Sequence, residues 1–109
     1  MIPEYNYAIG AALKNALDYL HHEWKYKAAS VVSYGGVSAG LRAATAVKPV
    51  LAALRMLPVV EAVSIPFFPQ FLTDDEEFVP NAELEAAAKA MLDELVRVTP
   101  ALGALRTAA

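Results

Sequence analysis

Ala28-Ala29-Ser30-Val31-Val32-Ser33, followed by Tyr34-Gly35-Gly36, is the stretch on which the fold turns. It is short, continuous, apolar and β-branched toward its end, the pattern of a strand buried on both faces in a parallel sheet. The break at Tyr34-Gly35-Gly36 predicts its end, and a glycine pair there allows positive φ and close approach by another group. On the N-terminal side, Leu13, Ala16, Leu17 and Leu20 recur at helical spacing and predict a helix from about Gly10 to Trp24. On the C-terminal side, Leu41, Ala44, Val47, Leu51 and Leu54 predict a second helix from Ser38 to Met56. Pro49 should kink or divide it, because proline removes a helical hydrogen bond. Val59-Val60-Glu61-Ala62-Val63 then reads as a strand, completing a strand-helix-strand crossover that is right-handed by strong preference.

Ser64 to Pro80 reads as a long loop, with prolines at 66, 69 and 80. It carries Phe67, Phe68, Phe71 and Phe78, and its aromatics favour an ordered loop packed on something. Its acidic run, Asp74-Asp75-Glu76-Glu77, reads as solvated and has the oxygen spacing of no calcium loop. Asn81 suits an N-cap, with Glu83 and Glu85 in the first turn of a last helix. Leu84, Ala88, Met91, Leu92 and Leu95 form that helix's stripe. It is expected to end near Thr99-Pro100, leaving a frayed tail to Ala109. The two strands read so far make a poor sheet alone, so a further piece of sheet is expected at the N-terminal end.

The 109 residues fit one domain, 1–109. With 57% apolar residues but no stretch near the roughly 20 needed to cross a bilayer, no membrane span is expected. No secretory leader is visible. Zero cysteines exclude disulfides, thiolate catalysis and Cys-based metal sites, and fit a cytoplasmic protein. A net charge of −3 with scattered arginines argues against nucleic acid as a partner. His21 and His22 are adjacent and point roughly 100° apart on a helix, which suits solvent-facing residues better than a shared metal. Trp24 and Tyr26 read as core or interface residues.

Met1-Ile2-Pro3-Glu4-Tyr5-Asn6, Leu13-Lys14-Asn15-Ala16-Leu17-Asp18, Val32-Ser33-Tyr34-Gly35-Gly36 and Gly40-Leu41-Arg42 remain. Together and at this spacing they resemble the NADPH-dependent FMN reductase family, flavodoxin-like NAD(P)H:quinone/FMN oxidoreductases. The resemblance covers nearly the whole chain and corresponds to the C-terminal half of such a domain. It implies an α/β fold, a partial flavodoxin-like three-layer sandwich with parallel strands and its N-terminal strands missing. Ile2 would end the family's third strand, and the family's Gly-Ser-x-Arg phosphate loop has no counterpart here.

The resemblance also implies a function. Hydride would pass from reduced nicotinamide, as NADPH, through FMN to a quinone, flavin or similar small-molecule acceptor. Pro3, Glu4, Tyr5 and Asn6 would lie along the flavin, and Ser33, Tyr34, Gly35 and Gly36 would approach its ring from the next strand. No protein residue is expected to be catalytic, since the cofactor carries the chemistry, and Glu4 is not expected to act as a general base. Phe67, Phe68 and Phe71 would either cover a neighbouring subunit's flavin or pack in the core. The open sheet edge would be sealed in a homo-oligomer or by a complementing N-terminal segment. The alternative is a truncated, non-catalytic fragment acting as an assembly or flavin-binding module.

Overall fold

The computed structural model describes residues 1–107. In chain order the elements are β1 (Ile2–Pro3), α1 (Ala11–Tyr19), β2 (Ala28–Ala29), β3 (Val32–Gly35), α2 (Leu41–Ala53), β4 (Leu57–Pro58), β5 (Val63–Pro66) and α3 (Ala82–Thr107). Single 3-10 turns lie at His22–Trp24 and Phe68–Phe71. β1, β3 and β5 form one parallel sheet in that order, with Ile2 opposite Ser33, and Ser33 opposite Ser64. Side chains alternate across a strand, so the sheet has two working faces. Ile2 and Val31 join Leu17, Ala43, Ala44, Val47, Leu51 and Leu54 of the α1–α2 layer. Val32, Tyr34, Val63 and Ile65 pack against Leu84 and Met91 of α3. The result is helices, sheet, helix: a three-layer, flavodoxin-like arrangement of parallel strands.

The strand at 28–33 is not one ladder, and this corrects the expected boundaries. β2 pairs with β4 at Ala28–Leu57, an offset of 57 − 28 = 29 residues. β3 pairs with β5 at Val32–Val63, an offset of 63 − 32 = 31. Two extra residues in the second strand therefore bulge out between the ladders, which breaks both strands at the same level. The stretch expected as a strand, Val59–Val63, is largely that bulge, and Val60 is 84% exposed at its crest. The Ser30 hydroxyl donates to the Glu61 carbonyl and satisfies the backbone there. The paired segment runs on through Pro66, so Ser64 to Pro66 belong to the sheet rather than to the loop.

Helix ends differ from expectation for local reasons. α1 stops at Tyr19 because the apolar stripe gives way to exposed Leu20, His21, His22 and Glu23. Trp24 then folds back, its Nε1 donating to the Leu17 carbonyl at 3.0 Å, which places it against the core. α2 begins at Leu41 and is not divided by Pro49, whose side faces solvent while Val47 and Leu51 stay buried. α3 passes through Pro100 to Thr107, its end tied down by Arg106 Nη1 donating to the Tyr26 carbonyl at 2.8 Å. The tail expected to fray is thus helical to Thr107; Ala108 and Ala109 lie outside the described residues. Among the described residues no helix is long and apolar enough to cross a membrane.

Candidate functional site at the carboxyl ends of the strands

A parallel sheet sends every strand's carboxyl end the same way, and open α/β sheets bind ligands in the crevice there. The loops after β1, β3 and β5 meet at that end, because Pro3 pairs with Tyr34 and Gly35 with Pro66. Two of the three carry the residues expected from the sequence. The third brings Phe67 and Phe68, tied in by the Phe67 N–H donating to the Gly36 carbonyl at 3.1 Å.

After Pro3, the chain makes a two-residue hairpin turn. The Tyr5 N–H donates to the Ala8 carbonyl at 3.0 Å, and the Ala8 N–H donates to the Tyr5 carbonyl at 2.9 Å. Asn6 and Tyr7, between them, both have positive φ, 48° and 69°. This is the left-handed pair of a type I′ turn, which asparagine tolerates and tyrosine resists. Asn6 and the rings of Tyr5 and Tyr7 are exposed on it.

Glu4 does not face that solvent. Its Oε1 accepts from Ser38 Oγ at 3.2 Å and from Arg42 Nη1 at 3.1 Å, and its Oε2 accepts from the Arg42 backbone N–H at 3.0 Å. The N-cap of α2, Gly40, has no side chain to offer, so Glu4 reaches across from β1 to satisfy the helix's free donors. Burial works to raise the Glu4 pKa. The hydrogen bonds from Arg42, Ser38 and the Ala43 backbone outweigh it, so the carboxyl sits below its ordinary 4.5. A carboxylate held this way is a poor base.

The four residues 33 to 36 divide by role. Ser33 is fully buried, and its hydroxyl donates to the Ala39 carbonyl at 2.8 Å, so its side chain serves the turn. Tyr34 points to the α3 face and meets Phe68 edge-on, ring centroids 5.4 Å apart. Gly35 is approached closely, but by the chain itself: a Cβ there would stand 3.1 Å from the Gly40 nitrogen. Gly36 is exposed, and a Cβ on it would meet nothing within 4 Å.

Neither member of the glycine pair has positive φ. Gly40 does, at 76°, next to Ala39 at 54°. A Cβ on Gly40 would stand 2.8 Å from the Tyr34 carbonyl oxygen and 2.9 Å from Ser33 Cβ. The turn glycine is therefore Gly40, flagged in the sequence only by its place before the helical stripe of Leu41.

Between the loops after β3 and β5 lies an open hollow of about 450 Å³, lined by Gly35, Gly36, Phe67, Phe68, Pro69 and Gln70. That is room for a planar ring system, with backbone on one side and phenylalanines on the other. Of the loop aromatics, Phe67 is 54% exposed beside this hollow, while Phe71 packs into the α3 cluster and against Phe78. The residues present fit the ring end of a flavin. Of the helix N-termini that could meet a phosphate, α2's already holds Glu4 and α3's is capped by Asn81 Oδ1 at 2.9 Å from the Leu84 nitrogen, while α1's, at Gly10, has no side-chain cap.

The sequence model of one family, described as NADPH-dependent FMN reductase, matches residues 1–70, which include the loops after β1 and β3 and the start of the loop after β5. Three curated relatives are similar over shorter stretches. The NAD(P)H-dependent FMN reductase C4B3.06c of Schizosaccharomyces pombe is 44% identical over 66 residues, 59% of this chain and 32% of that protein. The NAD(P)H-dependent FMN reductase LOT6 of Saccharomyces cerevisiae is 65% identical over 34 residues, 31% of this chain and 18% of its own length. The NAD(P)H-dependent FMN reductase ntnL of Nectria sp is 51% identical over 35 residues, 32% of this chain and 17% of its own length. The matched stretches thus span about a third of these relatives' lengths at most.

Proposed function

The chain belongs to the NADPH-dependent FMN reductase family, and on that premise we propose that it supplies the ring-facing part of an NAD(P)H:FMN oxidoreductase site. The observation that carries this reading is the open, aromatic-walled hollow that the loops after β3 and β5 form at Gly36, at the carboxyl ends of the strands. FMN held there supplies hydride acceptance from NADPH or NADH and its delivery to a quinone, free flavin or similar small acceptor. The chain's own part is placement. The backbone of Pro3 to Asn6 lies along the ring edge, Gly36 lets main chain approach it, and Phe67 and Phe68 exclude water from one side. Tyr34 backs the Phe68 ring rather than facing the flavin, and Ser33 secures the turn behind it.

The chain works, in this reading, inside a larger assembly in the cytoplasm. A second copy or a complementing N-terminal segment seals the free edge of β1 and brings further phosphate donors. The crowding of α2's N-terminus by Glu4 favours a second reading, in which the chain alone is an assembly or flavin-binding module without turnover.

Titration with FMN, followed by quenching of flavin fluorescence, is the deciding experiment. Saturable, stoichiometric quenching with anaerobic bleaching by NADPH is expected. Binding without bleaching selects the module reading, and absence of binding at high micromolar FMN removes the flavin from this chain.

A further inference from the structure

Two left-handed residues in succession, one of them a tyrosine, are unfavourable on their own and persist only where the surroundings enforce them. The enforcing group here is a single side chain. The Arg42 guanidinium lies over the Tyr7 ring, 4.0 Å from its centroid, and the same group donates to Glu4 Oε1 at 3.1 Å. Glu4 immediately precedes the turn, and Tyr7 is its second central residue. One arginine in the first turn of α2 therefore grips the turn at its entry and at its tip.

The grip has a rigid base. α2 is anchored in the core through Ala43, Ala44, Val47 and Leu51, and Gly40 locks its start against β3. The Glu4 side chain is only 9% exposed against 48% for Arg42, so the pair is sheltered on one side and open on the other. A sheltered, multiply bonded arginine–carboxylate pair holds geometry far better than a surface ion pair.

We propose that Glu4 and Arg42 are positioning residues for the Tyr5–Ala8 turn, fixing the backbone that meets the flavin. This rests on the flavin reading above. Neither residue touches the flavin: both oxygens of Glu4 are committed to α2, and Arg42 acts through Glu4 and Tyr7. Arginine suits this double contact better than lysine, because one extended guanidinium can bond the carboxylate while the same group lies over the ring.

The test uses the full chain with E4Q, R42M and R42K, and reads hydrogen exchange without flavin, FMN affinity, and the visible circular dichroism of bound FMN. E4Q and R42M are expected to speed exchange at the Tyr5 and Ala8 amides about tenfold or more, and to weaken FMN binding by about tenfold. The β3 amides should keep their protection, and the flavin spectrum should change shape. R42K keeps the charge toward Glu4 and loses the guanidinium over the Tyr7 ring, so it should fall between wild type and R42M; being mild, it decides the matter if another variant does not fold. Unchanged exchange and affinity in R42M and E4Q overturn the proposal. So does faster exchange spread evenly over turn and sheet, which marks a loss of global stability alone. If wild type takes up no FMN, the flavin role of the grip falls together with the proposed function. Faster exchange confined to Tyr5 and Ala8 would still establish the mechanical grip.

Discussion

At the residue scale, glycines show how far sequence could be read. The pair Gly35-Gly36 announces a strand end, and the strand does end there. Which glycine is conformationally obligatory was not legible, because that depends on Ser33 and Tyr34 lying under Gly40 after the chain has turned. Gly40→Ala should cost about 3 kcal/mol in urea denaturation, combining a left-handed backbone with a Cβ 2.8 Å from the Tyr34 oxygen. Gly36→Ala meets no neighbour and should leave stability within about 0.5 kcal/mol, yet weaken FMN binding several-fold. Equal loss of stability in the two variants would contradict this division of roles. Glu4 was equally hidden: its partners, Ser38 and Arg42, lie 34 and 38 residues away in sequence. Its folded pKa is depressed, so its stabilisation is fully present above about pH 4.5 and is lost as pH falls through the lower folded value. The stability gap between wild type and E4Q should therefore be widest near neutrality and narrow below pH 4.5. A gap that stays constant down to pH 3 would show that the carboxylate charge contributes nothing.

At the scale of elements, the helical stripes found α1, α2 and α3 but not their ends, because Leu17, Val47, Leu51, Leu84 and Met91 are buried at helical spacing while stripe positions such as Leu20, Leu41 and Leu92 are exposed. Strand ends were misplaced, since a two-residue bulge between paired strands depends on both strands at once and leaves no mark in either alone. Prolines misled for another reason. Pro49 and Pro100 face solvent, where the freed carbonyl one turn earlier can turn to water, and packing on the opposite face keeps the helix running. The end of α2 shows the converse, a helix stop made without its usual residue. The Arg55 N–H donates to the Ala52 carbonyl and the Met56 N–H to the Leu51 carbonyl, both at 2.9 Å, with Arg55 at φ 59°. This is a Schellman motif with arginine where glycine is favoured, closed by Met56 and Leu51 in one cluster. Arg55→Gly should raise stability by about 0.5–1 kcal/mol, the left-handed cost relieved less the extra freedom of glycine when unfolded. The urea midpoint measures it. A drop would mean that the weak contact from Arg55 Nη1 to the Tyr26 hydroxyl at 3.4 Å matters more than backbone strain.

At the scale of the molecule, the surface is larger than the mass warrants. A folded protein of 11.7 kDa is expected to expose about 5,900 Å², whereas the chain exposes 7085 Å². Its radius of gyration is 15.1 Å against about 13 Å for a compact domain of this length, with a long axis of 49 Å. The excess, roughly 1,200 Å², exceeds the roughly 800 Å² that one partner contributes to a standard interface. Part of it is apolar: Met1, Tyr34, Ile65, Phe68 and Phe78 line an open groove of about 400 Å³ on the α3 face. Among the described residues β1 stands at the edge of the sheet, with β3 as its one neighbour there. An unpaired edge beside an apolar groove favours addition of another strand over solvation. Sedimentation of the chain at about 100 micromolar, well above the nanomolar-to-micromolar range of interfaces this size, should give a species heavier than 11.7 kDa. Phe78→Glu should return it to the single-chain mass, with its thermal midpoint checked because Phe78 also leans on Phe71. Wild type that remains a monodisperse monomer would place the excess area in solvent and leave the β1 edge as an ordinary, tolerated one.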